Sequence, residues 1–205
     1  MSSTDASPEP SPRLFVAVDV PQDVRALLER ALRSVRERYP GGRWVPAANQ
    51  HVTVRFLGAT PLARVPHVLG AVARTASRHR TFAIRTTSLG AFPSPRRARV
   101  LWVGLDDGGG HARALAADLD AALAPVFDPE QRAFTPHLTV ARFDPPVRLE
   151  AAIADVRCGS DPFEVAALTL YRSHLGRGAP RYEPLATVPL ARDGAGDHAG
   201  YREGR

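Results

Sequence analysis

The chain has 205 residues, 44% apolar and 23% charged, with one cysteine. That length can bury one ordinary core or two small lobes, and the composition excludes a disordered chain, an internal disulfide and a thiolate zinc site. The formal charge is +6 and all 27 basic residues are arginine; the sign favours polyanionic partners such as RNA, whereas the lack of lysine beside abundant Ala, Pro and Gly reads as compositional habit.

Residues 1–12, rich in Ser, Pro and acidic side chains, read as a disordered tail, as do residues 191–205. The start has no basic or apolar leader and no apolar run reaches the roughly 20 residues that span a bilayer, so a soluble cytoplasmic protein is expected. The folded body is residues 13–190. Leu14–Val18 is a short buried strand, and Pro21 opens a helix whose apolar stripe (Val24, Leu27, Leu28, Ala31, Leu32, Val35) ends before Pro40-Gly41-Gly42. Trp44-Val45 and a strand from His51 to Gly58 follow, then a helical stretch over 61–78 and a strand over 82–89.

The order then restarts. An apolar strand spans 100–103, a helix 111–124, a second His-containing strand 136–143, a helical stretch 147–156 and a strand 163–171, with a last extended segment over 182–190. The landmark strands and histidines repeat after 86 residues. This predicts an α+β fold built by internal duplication, about 13–95 and 96–180 with strand crossing allowed: two pseudo-symmetric lobes, each with an antiparallel sheet and flanking helices, around a central cleft. A self-contained two-lobed chain is expected to be a monomer.

The repeat carries His51-Val52-Thr53 and His137-Leu138-Thr139. With 7 His and 11 Thr in the chain, chance supplies roughly 0.4 such matches, so the bare motif is weak. A third match, His79-Arg80-Thr81, lies in a polar stretch between elements and reads as a loop coincidence. The other two gain weight from equivalent positions and from alternation. In a strand, positions i and i+2 share a face, so His51 and Thr53 point one way and Val52 and Val54 the other; His137 and Thr139 are likewise opposed to Leu138 and Val140. Two His-Thr pairs then line one cleft. Paired imidazoles suit acid–base chemistry, one accepting a proton while the other donates, and the hydroxyls suit phosphate oxygens. Neither strand supplies a third metal ligand, so no metal and no other cofactor is expected.

Arg13–Val18, His51-Val-Thr-Val-Arg-Phe-Leu-Gly58, Pro136-His-Leu-Thr-Val-Ala-Arg142 and Leu168-Thr-Leu-Tyr-Arg-Ser173 resemble the 2H phosphoesterase superfamily. Within it they resemble the bacterial RNA 2′,3′-cyclic phosphodiesterases, also called 2′-5′ RNA ligases, over residues 13–190. The resemblance implies a two-lobed, metal-independent enzyme that opens a terminal 2′,3′-cyclic phosphate to a 2′-phosphate, acting on RNA 3′ ends or cyclic nucleotides. It implies His51 as general acid and His137 as general base, with Thr53 and Thr139 binding phosphate. Phe56 and Arg142, five residues beyond each His, match positions that contact the terminal base. Strict alternation points both away from the His face, so they reach it only where the strand ends, twists or bulges. Phe15 and Tyr171 also match family positions, but core packing accounts for them. Arginines 96, 97 and 99 form a basic loop that is solvated or touches RNA. Two alternatives stay open: 2′-5′ ligation as the main reaction, and a non-catalytic RNA- or nucleotide-binding module. Without lysine or a phosphate-binding Gly-rich loop, a lysyl-adenylate ligase is excluded.

Overall fold

Apolar alternation becomes pleat in nine strands. The computed structural model describes residues 11–176 and 179–192, and most of the two expected tails lies outside them. In chain order the elements are β1 (Arg13–Asp19), α1 (Gln22–Ala31), α2 (Arg33–Arg38), β2 (Arg43–Trp44), β3 (His51–Ala59), α3 (Val65–Arg78), β4 (Phe82–Phe92), β5 (Ala98–Asp106), α4 (His111–Leu123), β6 (His137–Val147), α5 (Glu150–Ile153), β7 (Phe163–Val165), β8 (Ala167–His174) and β9 (Arg181–Pro189). No helix among the described residues is long and apolar enough to cross a membrane.

The strands form one sheet in the order β7-β4-β5-β6-β3-β1-β8-β9, with β2 added beside β6. Every recorded strand pair is antiparallel. A pseudo-twofold relates β3-β1-β8-β9 to β6-β5-β4-β7. It runs through the seam, where the pair Val52↔Leu138 joins β3 to β6. Those two residues are themselves 86 positions apart. The halves of the chain exchange strands: β4 pairs with β5 of the later half, and β8 pairs with β1 of the earlier one. β7 and β8 sit near opposite ends of the sheet order, yet only Ala166 separates them. Two residues span no more than about 7 Å, so the sheet must curl strongly.

One face of the sheet is packed by α3 and α4. Val52, Val54, Leu138, Val140, Leu14, Val16 and Val103 join Val68, Val72, Leu115 and Leu119 in one buried core. The opposite face, here the site face, carries the histidines. α4 starts where the Asp107 carboxylate accepts hydrogen bonds from the Gly109, Gly110 and Ala112 amides, satisfying donors that a helix start leaves unpaired.

Three expected elements come out differently. The helix over 24–35 is broken at Leu32, whose backbone (φ −92°, ψ 0°) leaves the helical region while keeping its hydrogen bonds to Leu28 and Arg36. The helical stretch over 147–156 shrinks to Glu150–Ile153, because β6 carries Pro145–Val147 as strand and Val147 pairs with Ala98. The strand over 163–171 divides at Ala166, where the chain leaves β4 for β1.

Candidate active site

Each histidine is the first residue of its strand. In an antiparallel register through Val52↔Leu138, His51 lies across from Thr139 and Thr53 across from His137. The seam therefore brings both His-Thr pairs together on the site face, as four corners around the pseudo-twofold.

A carbonyl oxygen can only accept, which fixes the tautomer of each ring. His51 Nδ1 donates to the Asn49 carbonyl at 2.8 Å and His137 Nδ1 to the Thr135 carbonyl at 2.7 Å. Both bonds go back two residues, so both rings present Nε2 outward. His51 Nε2 also meets Thr53 Oγ1 at 3.0 Å, while His137 and Thr139 make no such contact among the described residues.

The surroundings differ as well. The His51 ring stacks on Phe15 at 4.7 Å and makes a T-shaped contact with Tyr182 at 5.2 Å, with Tyr171 at 6.3 Å. Burial pushes the His51 imidazole below its ordinary value; the bond to Asn49 and the Asp19 carboxylate oppose that, and Arg25 adds to it. Asp19 pairs with His51 in register, and its carboxylate accepts bonds from Tyr171 Oη at 2.5 Å and Thr169 Oγ1 at 3.1 Å. Burial and then Asp19 push the Tyr171 phenol up, so it stays a protonated donor. His137 makes T-shaped contacts with Phe92 at 5.4 Å and Trp102 at 6.2 Å.

Phe56 and Arg142 do reach the site face, and β-bulges put them there. Ala17 pairs with Thr53 and Val16 with Arg55, which leaves Val54 as an extra residue; Trp102 pairs with Thr139 and Leu101 with Ala141, which leaves Val140. The two bulges lie 86 residues apart and each reverses the alternation. Arg55 consequently turns toward α4 and meets Asp120 at 2.9 Å, Ala141 is buried, and Phe56 and Arg142 emerge on the histidine side. Phe56 is 61% exposed and lies 6.0 Å from the Phe15 ring. Burial raises the Tyr182 phenol, and the Arg142 guanidinium lowers it. Phe56 and Arg142 themselves stand on opposite flanks of the four-cornered site.

Phe15, at 3% exposure, is core as expected, yet it is also the surface on which His51 rests. The third motif plays no part here. His79 ends α3, pairs with Asp118 at 2.9 Å, and lines an open pocket of about 540 Å³ with Arg78, Phe82, Asp107 and His111. That pocket is at the end of β4 away from His137. Among the described residues no group of three or more His, Cys, Asp or Glu side chains is placed to hold a metal ion. Phe92, Trp102, Tyr182 and the two tethering carbonyls were not foreseeable from the motifs. The carbonyls have no side-chain signature, and the aromatics arrive from distant strands.

The profile of the 2′-5′ RNA ligase superfamily matches residues 20–177. An RNA 2′,3′-cyclic phosphodiesterase of Aeropyrum pernix is 36% identical over 71% of this chain and 85% of its own length. Another, of Geobacillus stearothermophilus, is 28% identical over 86% of this chain; the chain spans 56% of that relative's length. The crystal structure of Escherichia coli LigT complexed with 3′-AMP superposes with a TM-score of 0.67 and 27% identity, covering 88% of this chain and 98% of that one.

Proposed function

Because the chain belongs to the 2′-5′ RNA ligase superfamily, we propose that it is an RNA 2′,3′-cyclic phosphodiesterase. The observation that carries this reading is the convergence of two His-Thr pairs on one seam, each Nε2 turned outward by a backbone carbonyl.

In the reaction, His137 takes a proton from water as its oxygen attacks phosphorus. The P–O3′ bond breaks and His51 gives a proton to the departing 3′ oxygen. The product has a 2′-phosphate and a free 3′-OH. Thr53 and Thr139 hold the non-bridging oxygens by charge-assisted hydrogen bonds. Phe56 and Arg142 contact the terminal nucleotide, suiting a flat base and an anionic backbone respectively. No step needs a metal or another cofactor. All four groups come from one chain, so a monomer suffices for the site.

One observation favours exchanged roles. Burial lowers the His51 imidazole, so it rests neutral and ready to accept a proton. His51 is then the base and His137 the acid.

The test is an RNA ending in 2′,3′-cyclic phosphate, incubated in EDTA with wild type, His51→Ala and His137→Ala. Wild type turns over, and each variant loses about 10²- to 10⁴-fold, the range for one positioned proton-transfer group. Equal rates in all three proteins refute the reading. A nucleoside phosphodiester with a p-nitrophenolate leaving group separates the roles, because that leaving group needs no acid. Near-normal rates in His51→Ala assign the acid to His51; near-normal rates in His137→Ala assign it to His137.

A further inference from the structure

Phe92 is the last residue of β4 and is 38% exposed, a large ring left open beside the site. It packs at 5.1 Å on Trp102 and meets His137 in a T-shaped contact at 5.4 Å. Gly90 makes this packing close, since a Cβ there would lie 2.2 Å from Trp102 ring atoms. Phe92 is thus a braced aromatic surface rather than a loose side chain. The turn that follows it carries Arg96 and Arg97, and Arg99 stands at the start of β5. Arg96 pairs with Glu150 at 2.7 Å and Arg99 with Asp144 at 3.4 Å, while Arg97 is exposed and has no ionic partner among the described residues. Arg142 stands in the same cross-strand row, through Phe92↔Val100↔Arg142.

The shape of a ribose says what this surface meets. Its 2′,3′ edge is the one that faces the imidazoles. The base on C1′ and the 5′ carbon on C4′ then project to opposite flanks. Phe56 lies on the flank beyond Thr53, and Phe92 on the flank of the other lobe. A terminal nucleotide whose base lies on Phe56 directs its 5′ oxygen, and the phosphodiester attached to it, toward Phe92 and Arg97.

Resting on the cyclic phosphodiesterase reading, we propose that Phe92 stacks the base of the nucleotide on the 5′ side of the cyclic end and that Arg97 meets its backbone phosphate. The substrate class is therefore oligonucleotides with a cyclic phosphate end, in preference to cyclic mononucleotides. Aromatic stacking tolerates any base, so the preference is for chain length and not for sequence.

The experiment compares adenosine 2′,3′-cyclic phosphate with a trinucleotide ending in the same group. Wild type is expected to show a KM about tenfold lower for the trinucleotide, the scale of one stacked base. Phe92→Leu, which keeps apolar bulk against His137 but removes the ring face, brings the two KM values within about twofold, and Phe92→Trp keeps the preference. Arg97→Ala lowers the slope of log affinity against log salt by about 0.7, one single-strand phosphate contact. Equal KM values in wild type, or an undiminished preference in Phe92→Leu, overturn the proposal while leaving the parent reading intact. Turnover of neither substrate refutes the parent reading instead. Fluorescence anisotropy with a labelled trinucleotide 2′-phosphate against 2′-AMP then decides the platform: a wild-type preference lost in Phe92→Leu supports it, and no preference overturns it.

Discussion

Replacing Thr53 and Thr139 by valine removes one hydroxyl each and little else. Both side chains are only partly buried, at the third position of their motifs, so neither hydroxyl is needed by the core. Their proposed work is to hold phosphoryl oxygens, and a hydrogen bond to a charged group contributes about 1.5–3 kcal/mol. That corresponds to a loss of roughly 10- to 150-fold in kcat/KM for each variant. The two are not expected to lose equally. Thr53 already bonds His51 Nε2 at 3.0 Å, a contact that must open before Nε2 can engage substrate, and no such contact restrains His137. Removing Thr53 also removes this competitor, worth about 0.5–1.5 kcal/mol for a neutral bond, so Thr53→Val costs less than Thr139→Val by about two- to tenfold. The measurement is steady-state hydrolysis of a cyclic-phosphate-ended RNA, with thermal melts alongside and serine at each position as the conservative control. Losses under twofold in Thr139→Val, or a larger loss in Thr53→Val, refute this account of the hydroxyls.

Leu138, fully buried at the seam, is expected to cost about 3 kcal/mol on truncation to alanine, read as a shift in the urea midpoint; a change under 1 kcal/mol places the seam outside the cooperative core. Gly90→Ala drives a methyl into Trp102 and is expected to cost about 1–3 kcal/mol with a change in tryptophan fluorescence; an unaltered spectrum and melt contradict the close packing. His51 has a lowered folded-state pKa, so between that value and the ordinary one the unfolded chain binds more protons. Its contribution is present above about pH 6.5 and is lost as pH falls through the folded value; wild type therefore loses more stability than His51→Gln between pH 8 and pH 5, and parallel curves refute the burial argument. Phe56→Ala, at an exposed ring, leaves the melt unchanged and raises KM about tenfold, whereas an unchanged KM removes Phe56 from the substrate.

The histidine strands were legible because alternation over His51–Val54 and His137–Val140 needs no tertiary information. Phe56 and Arg142 were legible only as a conditional, since the bulges at Val54 and Val140 arise from pairing with β1 and β5, where the facing residues lie 36 or more positions away in sequence. The strand over 163–171 could not be divided in advance, because Ala166 turns on which neighbours the chain pairs with and not on its own propensity. The acid–base asymmetry was out of reach for the same reason. His51 and His137 have near-identical local sequences and identical carbonyl tethers, and differ only in what distant strands pack against them.

The exchange of β4 and β8 decides where each imidazole gets its environment. His51 belongs to the earlier half of the chain, and the Tyr171 and Tyr182 rings beside it come from the later half. His137 belongs to the later half and leans on Phe92 from the earlier one. Neither half is a transplantable module: a fragment ending after α3 keeps His51-Val52-Thr53 and the stacked Phe15 but loses Tyr171 and Tyr182, and recovers them only by complementation with the other piece. The two halves are interlocked: Phe15 and Trp102 reach each histidine from its own half, Tyr171, Tyr182 and Phe92 from the other, so mutations that tune one histidine are written in both halves of the gene.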